Sequence, residues 1–326
     1  MTEKQQNHTV LKTFMPVISI IICTYNRGDL LKRCLKSLIE QDMDTIFFEI
    51  IVVVDQQFSD LMVPIIHQFE PQRKIRVIIE HEGGHANARN AGYLAANGEL
   101  LIYLDDDAIA PPQFIRQVIL VWDQFAPDIM GGPIYPYYTD KKPGWFRDEY
   151  EIRKYEKHSG FSRTCRISGS NFIIRKDTLK SIGLFDKNLG MKKGEIMTLG
   201  DEGKVLDTYR LQTPIAEQKV FYSMDVFVYH LVPKWKMNLI YIMKRGYHSG
   251  KYRFTKLNNK FPDRTKRQRV NSLIGLFLRM GKTYFNLLRK NGMRNTDHIV
   301  ALRGFCFYLG YLEATVFFLY DPLSPK

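Results

Sequence analysis

Cysteine is scarce. Cys23, Cys34, Cys165 and Cys306 are the only four in 326 residues, and no two form a Cys-x-x-Cys pair. That scatter argues against a disulfide framework and a structural zinc site, and it fits a reducing compartment. The opening segment, MTEKQQNHTVLKTF, lacks the apolar core of a signal peptide, so a cytoplasmic chain is expected. Uninterrupted apolar runs of about 18–20 residues are also missing, so no spanning helix is expected. Acid is what the C-terminal third lacks. Residues 231–326 hold nineteen Lys and Arg against four Asp and Glu, a surplus of fifteen that exceeds the +13 of the whole chain. The first 230 residues are therefore slightly acidic, and the chain reads as a near-neutral body with a cationic appendage. With 45% hydrophobic and 25% charged residues, wholesale disorder is excluded and a large core can be buried.

Within the body, VISIIICT (17–24), FEIIVVV (48–54), KIRVIIE (74–80) and ELLIYL (99–104) have strand length and are almost continuously apolar. Such runs fit strands covered on both faces, as in a parallel sheet. Between them, residues 29–40, 87–96 and 112–122 carry helical spacing, so a βαβ sheet is expected. Ligands of such sheets sit beyond the C-terminal ends of the strands. There the sequence turns polar: Thr24-Tyr25-Asn26-Arg27, then Asp55, then Gly83-Gly84-His85-Ala86-Asn87-Ala88-Arg89-Asn90, then Asp105-Asp106-Asp107. Three adjacent carboxylates repel one another unless a cation neutralises them, and hard oxygen ligands suit Mg²⁺ or Mn²⁺. Taken alone, the triplet reads more readily as a solvated acidic turn or helix N-cap before Pro111-Pro112; the convergence of strand ends on it favours the cation site.

The runs VISIIICTYNRGDLLKRCLKSL, EIIVVVD and ARNAGYLAANGELLIYLDDDA resemble, in order and spacing, the family 2 glycosyltransferases. The resemblance extends over roughly residues 16–250. It implies a Rossmann-like nucleotide-diphospho-sugar transferase fold (A-type glycosyltransferase), with the helical basic extension left over. The implied organisation is a polar tail at 1–14, a catalytic domain at 15–250 with halves 15–132 and 133–250, and an extension at 251–326. The resemblance places Thr24, Asn26 and Arg27 along the nucleotide, Asp55 on the base, and Arg89 on base or diphosphate. Asp105-Asp106-Asp107 becomes the Asp-x-Asp element, with Asp107 the direct metal ligand, Asp105 nearer the ribose, and Asp106 between them at the donor site. A second acid usual after Asp55 is replaced by Gln56.

In the second half, GGPIYPYYTDKKPGWF is rich in flat rings that pack on sugars, and Trp145 is the candidate acceptor contact. Gly200-Asp201-Glu202 resembles the family's Gly-Glu-Asp with the acids exchanged, which makes Glu202 the expected base and Asp201 its neighbour or substitute. An acceptor hydroxyl must lose its proton as it attacks, and a carboxylate beside another has its pKa raised towards usefulness. An arginine usual six positions after the second acid is replaced by Thr208, with Arg210 nearby. Asp186, in the turn Gly183-Leu184-Phe185-Asp186, reads as structural. His230, closing the strand-like VFVYH, is a candidate for the metal or the departing diphosphate, and equally for a structural role.

The expected reaction is inverting transfer from a UDP-, GDP- or dTDP-sugar to a glycan or lipid-linked acceptor, in surface polysaccharide or lipid-linked glycan assembly. Arg245, Gly246, Tyr247 and Gly250 complete the resemblance. Beyond them, LNNKFPDRTKRQRV reads as a basic linker. The apolar segments after it, broken by Arg303 and Glu313, read as helices on an anionic membrane surface at the cytoplasmic face. The alternative is a helical subdomain with a solvated basic face. Two rival functions fit less. A sugar nucleotidyltransferase would need a Gly-rich, Lys-containing phosphate loop near the N-terminus, and nucleic-acid binding through the basic third leaves the carboxylates unexplained.

Overall fold

The computed structural model describes residues 18–42, 48–70, 75–187, 200–260, 264–288 and 295–320. The tail expected at 1–14 lies outside them. The chain forms two compact units, residues 1–137 with 151–231, and residues 138–150 with 232–326. The division expected at 250 instead falls inside a helix, Leu239–Lys260. The segment 138–150 joins the second unit because Phe146 and Tyr150 pack with Val232, Met237 and Ile242.

In the first unit the strands are β1 (Ile18–Thr24), β2 (Phe48–Asp55), β3 (Ile75–Glu80), β4 (Leu100–Asp105), β5 (Ala108–Ile109), β6 (Ile129–Gly131), β7 (Ile134–Tyr137), β8 (Gly160–Phe161), β9 (Phe172–Arg175), β10 (Val220–Tyr222) and β11 (Val228–Leu231). The helices are α1 (Gly28–Ile39), α2 (Ser59–His67), α3 (His85–Ala95), α4 (Phe114–Phe125), α5 (Lys176–Ser181) and α6 (Asp201–Gln212). One sheet runs β3-β2-β1-β4-β9-β6-β10-β8, and a second runs β5-β11-β7. The first four strands pair in parallel, as their unbroken apolar runs require. Strand β9 enters antiparallel to β4 and β6.

Both faces of this sheet are covered. Ile20 and Ile22 enter one core with Leu31, Leu35 and Leu38 of α1, while Ile21 enters the other with Val53 and Tyr103. Each fully buried Ile or Leu contributes about 1.5–3 kcal/mol relative to exposure. Helix α3 presses closest, since a Cβ on Gly92 would collide with the Ile21 side chain. At the opposite end from the strand C-termini, a polar knot ties the sheet together. Glu49 accepts from Ser19 Oγ (2.7 Å), Asn97 N (2.7 Å) and Arg76 Nη1 (3.2 Å).

The second unit contains α7 (Leu239–Lys260), α8 (Lys266–Leu288) and α9 (Asn295–Tyr320). The stretch read as a linker is thus mostly helix ends. Helices α7 and α9 meet through glycines: a Cβ on Gly246 would lie 2.7 Å from the Arg303 carbonyl oxygen, Gly250 abuts the Phe307 carbonyl, and Gly310 abuts that of Tyr247. The Gly-Tyr-x-x-Gly pattern is therefore a helix-crossing signature. Contrary to the sequence expectation, one described helix, Asp297–Tyr320, is long and apolar enough to cross a membrane by length and composition. Arg303 and Glu313 dilute its mean hydropathy only to 1.3, and Glu313 is paired with Lys251 at 3.1 Å. Its exposed residues include Val300, Leu302, Phe305, Leu309, Val316, Phe317 and Tyr320.

Candidate active site

The polar ends of β1, β2 and β4 lie at one edge of the parallel sheet. Just past β4 the chain turns through Asp106 and Asp107 into β5, which pairs antiparallel with β11 so that Ala108 faces His230. Leu231 N donates to the Asp107 carbonyl (3.0 Å) and locks the register. A residue 123 positions further along the sequence is thereby set beside the acidic triplet. His230 Nε2 lies 3.2 Å from Asp107 Oδ1 and 3.5 Å from Asp105 Oδ2.

These three side chains offer ligand atoms within 4.8 Å of one another. His230 Nδ1 is 3.1 Å from the Leu231 carbonyl oxygen, which can only accept, so Nδ1 carries hydrogen. Nε2 then faces two carboxylates either as a second N–H or as a lone pair, and a lone pair there calls for a cation. Asp107 Oδ1 is buried and, among the described residues, has no well-aligned hydrogen-bond donor, His230 Nε2 standing 3.2 Å away. Two hard carboxylates and one imidazole, one oxygen orphaned, fit Mg²⁺ or Mn²⁺. Burial works against charge on Asp105, but His230, His85 and Arg89 outweigh it and hold this carboxyl well below the usual range.

Asp106 does not face the same space. It is fully buried, accepts from Thr24 Oγ1 (2.7 Å) and pairs with Arg27 Nη2 (2.6 Å). Burial pushes its pKa up to about 6 against the pull of Arg27. Arg27 also reaches Asp107 Oδ2 at 3.0 Å while remaining about half exposed. Thr24 and Asp106 thus brace the loop, and Arg27 stands at its mouth beside exposed Asn26. Asp55 caps the short turn Gln56–Phe58 by accepting from Gln57 N (2.9 Å), and faces the Gly83 turn. Gln56, where an acid was expected, holds His81 through its side-chain oxygen at 2.8 Å.

Helices α3 and α6 both begin here, each after glycines in the left-handed region: Gly83 (φ +71), Gly84 (φ +95) and Gly200 (φ +126). Asp201 and Glu202 occupy the first turn of α6. Arg89 of α3 binds Asp201 Oδ2 at 2.7 Å and lies 3.7 Å from Glu202 Oε2. Its guanidinium side chain is 4% exposed. It sits over the Phe185 ring at 5.2 Å and against Gly169, where a Cβ would strike it. Arg89, expected at the base or diphosphate, is here paired with Asp201. Burial would lift Asp201, but Arg89 and a hydrogen bond from His85 hold it ionised, well below the usual range. For Glu202, burial and the adjoining Asp201 raise the pKa from 4.5 to about 7 against the pull of Arg89. The two acids therefore differ in charge: Asp201 is held ionised, whereas Glu202 is lifted above the ordinary carboxylate range.

His85 received no role from the sequence, although it opens α3 behind two glycines. Its Nδ1 is 3.4 Å from Asp201 Oδ2 and its Nε2 is 4.0 Å from Asp105 Oδ1, so it links the acid pair to the triplet. Arg210 turns away, donating to the Cys165 carbonyl at 2.8 Å. Trp145 belongs to the second unit, packed edge-on to Phe146 at 5.6 Å.

The sequence profile of Glycosyl transferase family 2 matches residues 19–183. The chain is 23% identical over 253 residues to the glucosyl-dolichyl phosphate glucuronosyltransferase of Haloferax volcanii, covering 72% of this chain and 75% of that protein. It is 34% identical over 107 residues to the validoxylamine A glucosyltransferase of Streptomyces hygroscopicus subsp. jinggangensis, covering 32% of this chain but only 25% of that one. In fold it is similar to the mannosyltransferase PcManGT from Pyrobaculum calidifontis in complex with GDP-Man and Mn2+. That likeness has a TM-score of 0.56 at 18% identity, over 95% of this chain and 89% of that one.

Proposed function

The chain belongs to glycosyl transferase family 2, and from that premise we propose that it moves a sugar from a nucleoside diphosphate to an acceptor hydroxyl with inversion. The observation that carries this reading is geometric: His85 and Arg89 tie the acid pair Asp201-Glu202 to Asp105 of the Asp105-Asp107-His230 cluster, so a candidate base and a candidate cation site share one strand-end rim. Glu202 takes the proton of the acceptor hydroxyl as its oxygen bonds to the anomeric carbon. The bond from that carbon to the diphosphate oxygen breaks on the opposite face, and the electron pair leaves with the diphosphate. Asp201, locked by Arg89, orients Glu202 and keeps its proton affinity high. Arg27, half exposed at the mouth of the triplet, is positioned to meet a phosphate oxygen, and Asn26 and Asp55 supply polar groups for the nucleoside. Asp105, Asp107 and His230 would hold Mg²⁺ or Mn²⁺, which when bound neutralises charge on the leaving diphosphate.

The donor is a UDP-, GDP- or dTDP-sugar, and the acceptor is a glycan or lipid-linked glycan of a surface polymer. We place the enzyme peripherally on the cytoplasmic face of a membrane. Exposed apolar residues Val270, Ile274, Phe277, Leu278 and Phe285 share one side of α8, with exposed Lys266 and Lys282 flanking it. Lysines at those flanks meet anionic headgroups while the apolar side enters the interface. Nucleotide release from a panel of sugar nucleotides, with Mn²⁺ and with EDTA, tests the reaction without knowledge of the acceptor. Release from at least one donor, lost with EDTA and in Asp107→Ala, is expected. Equal release in the chelated or substituted enzyme would overturn the metal reading, and no release from any donor would overturn the transfer reading.

A further inference from the structure

Strand β11 turns His230 towards the carboxylates, and neighbouring side chains of a strand point to opposite faces. Phe227 and Tyr229 therefore belong to the other face of the small sheet. There Tyr229 stands between Ile109 of β5 and Tyr135 of β7 in the strand register. The three rings form a cluster: Tyr135 to Phe227 at 5.5 Å, Phe227 to Tyr229 at 5.6 Å, Tyr135 to Tyr229 at 6.4 Å. Tyr229 is 39% exposed, and Tyr135 and Phe227 are partly buried. Beside the rings opens a cavity of about 360 Å³, whose lining includes Glu40, Pro111, Pro112, Gln113, Phe227 and Tyr229. Its floor is stiff: the Pro111 carbonyl accepts from Gln41 Nε2 and the Pro112 carbonyl from Asp42 N, both at 2.8 Å.

The polar groups of this cavity are available. Among the described residues, Glu40 pairs only with Lys36, at 3.7 Å, in an i,i+4 contact between exposed side chains. Pairs of that kind contribute little and yield readily. The Gln113 amide and the Tyr229 hydroxyl have no side-chain hydrogen bond among the described residues. We propose that this face is a second, non-catalytic carbohydrate site that takes one pyranose ring of a glycan. A pyranose has an apolar C–H face and a rim of hydroxyls. Tyr229 and Phe227 match the first, and the Glu40 carboxylate and Gln113 amide match the second. Among the described residues the lining contains no Lys or Arg, so it does not suit a phosphate or nucleotide. An alkyl chain would leave the carboxylate unmatched. The proposal deepens the transferase reading and rests on it for the ligand's origin: the acceptor is longer than one sugar and is held at a second point.

The test is saturation-transfer NMR on the full-length protein, with UDP and Mn²⁺ present to fill the donor site. The probes are methyl glucosides, galactosides and mannosides and the disaccharides maltose and cellobiose. At least one sugar should receive saturation, and Tyr229→Ala should weaken its binding at least tenfold. Because Tyr229 adjoins His230, the pair Glu40→Ala and Gln113→Ala, which leaves β11 untouched, should do the same. Both variants should keep the wild-type rate of donor hydrolysis. Binding of no probe, or equal binding by wild type and variants, would overturn the site. Donor hydrolysis in the same preparations reports separately on the transferase reading.

Discussion

Glu202 has one neighbour that raises its proton affinity and another that lowers it, and burial decides the outcome in favour of the proton. Its pKa of about 7 lies above the ordinary 4.5, so below pH 7 the base is filled and cannot accept the acceptor's proton. Transfer at saturating donor should therefore fall about tenfold per pH unit below 7 and level off above it, read from a pH–rate profile. Glu202→Gln should lower kcat by roughly 10²–10⁴-fold with little change in the donor KM. An unaltered profile in that variant would assign the base elsewhere. Arg89→Met should unfold more easily by about 3–5 kcal/mol, because Asp201 would be left buried without its partner; urea denaturation checks this. The chemical types at the strand ends were legible in the sequence because folding alone does not explain them. The commitment of Arg89 to Asp201 was not legible, since it depends on a contact 112 residues away in the chain.

At the scale of elements, strands buried on both faces were the legible ones, because their sequences are almost continuously apolar. Strands β5, β6, β7, β8 and β10 escaped notice: two- to four-residue strands carry too short a pattern, and tertiary pairing alone defines them. Yet β5 is what delivers His230 to Asp107. The same holds for Glu49, a charge inside an apolar run, which sequence reading passes over. Its carboxyl is lowered below 4.5: burial opposes this, but the Asn97 N–H, Ser19 and Arg76 outweigh it. A lowered folded pKa means the stabilisation is present above the ordinary value and is lost as pH falls through the folded one. Glu49→Ala should cost roughly 2–3 kcal/mol at pH 7. The gap from wild type in urea melts should narrow as pH drops below 4.5. A gap that does not depend on pH would mean that the knot acts by packing alone.

For the whole molecule, the charge imbalance maps onto a division of labour: a slightly acidic unit with the carboxylates, and a basic helical one with apolar helix sides facing solvent. Helix α9 covers the glycines of α7, so truncation would expose a packed face, and point changes are the cleaner probe. Ile274→Glu with Leu278→Glu should abolish sedimentation with vesicles rich in phosphatidylglycerol, and 0.5 M salt should weaken it in wild type, by about the screening expected of surface charges. Retained sedimentation in that variant would dismiss the membrane placement while leaving the chemistry intact. The donor site proposed here depends on a cation at the rim where β4 ends. Anomalous scattering from crystals soaked in Mn²⁺ and UDP should show one strong manganese peak touching Asp105, Asp107 and His230, with diphosphate density against it; a peak elsewhere, with these three side chains bare, would refute the proposed site.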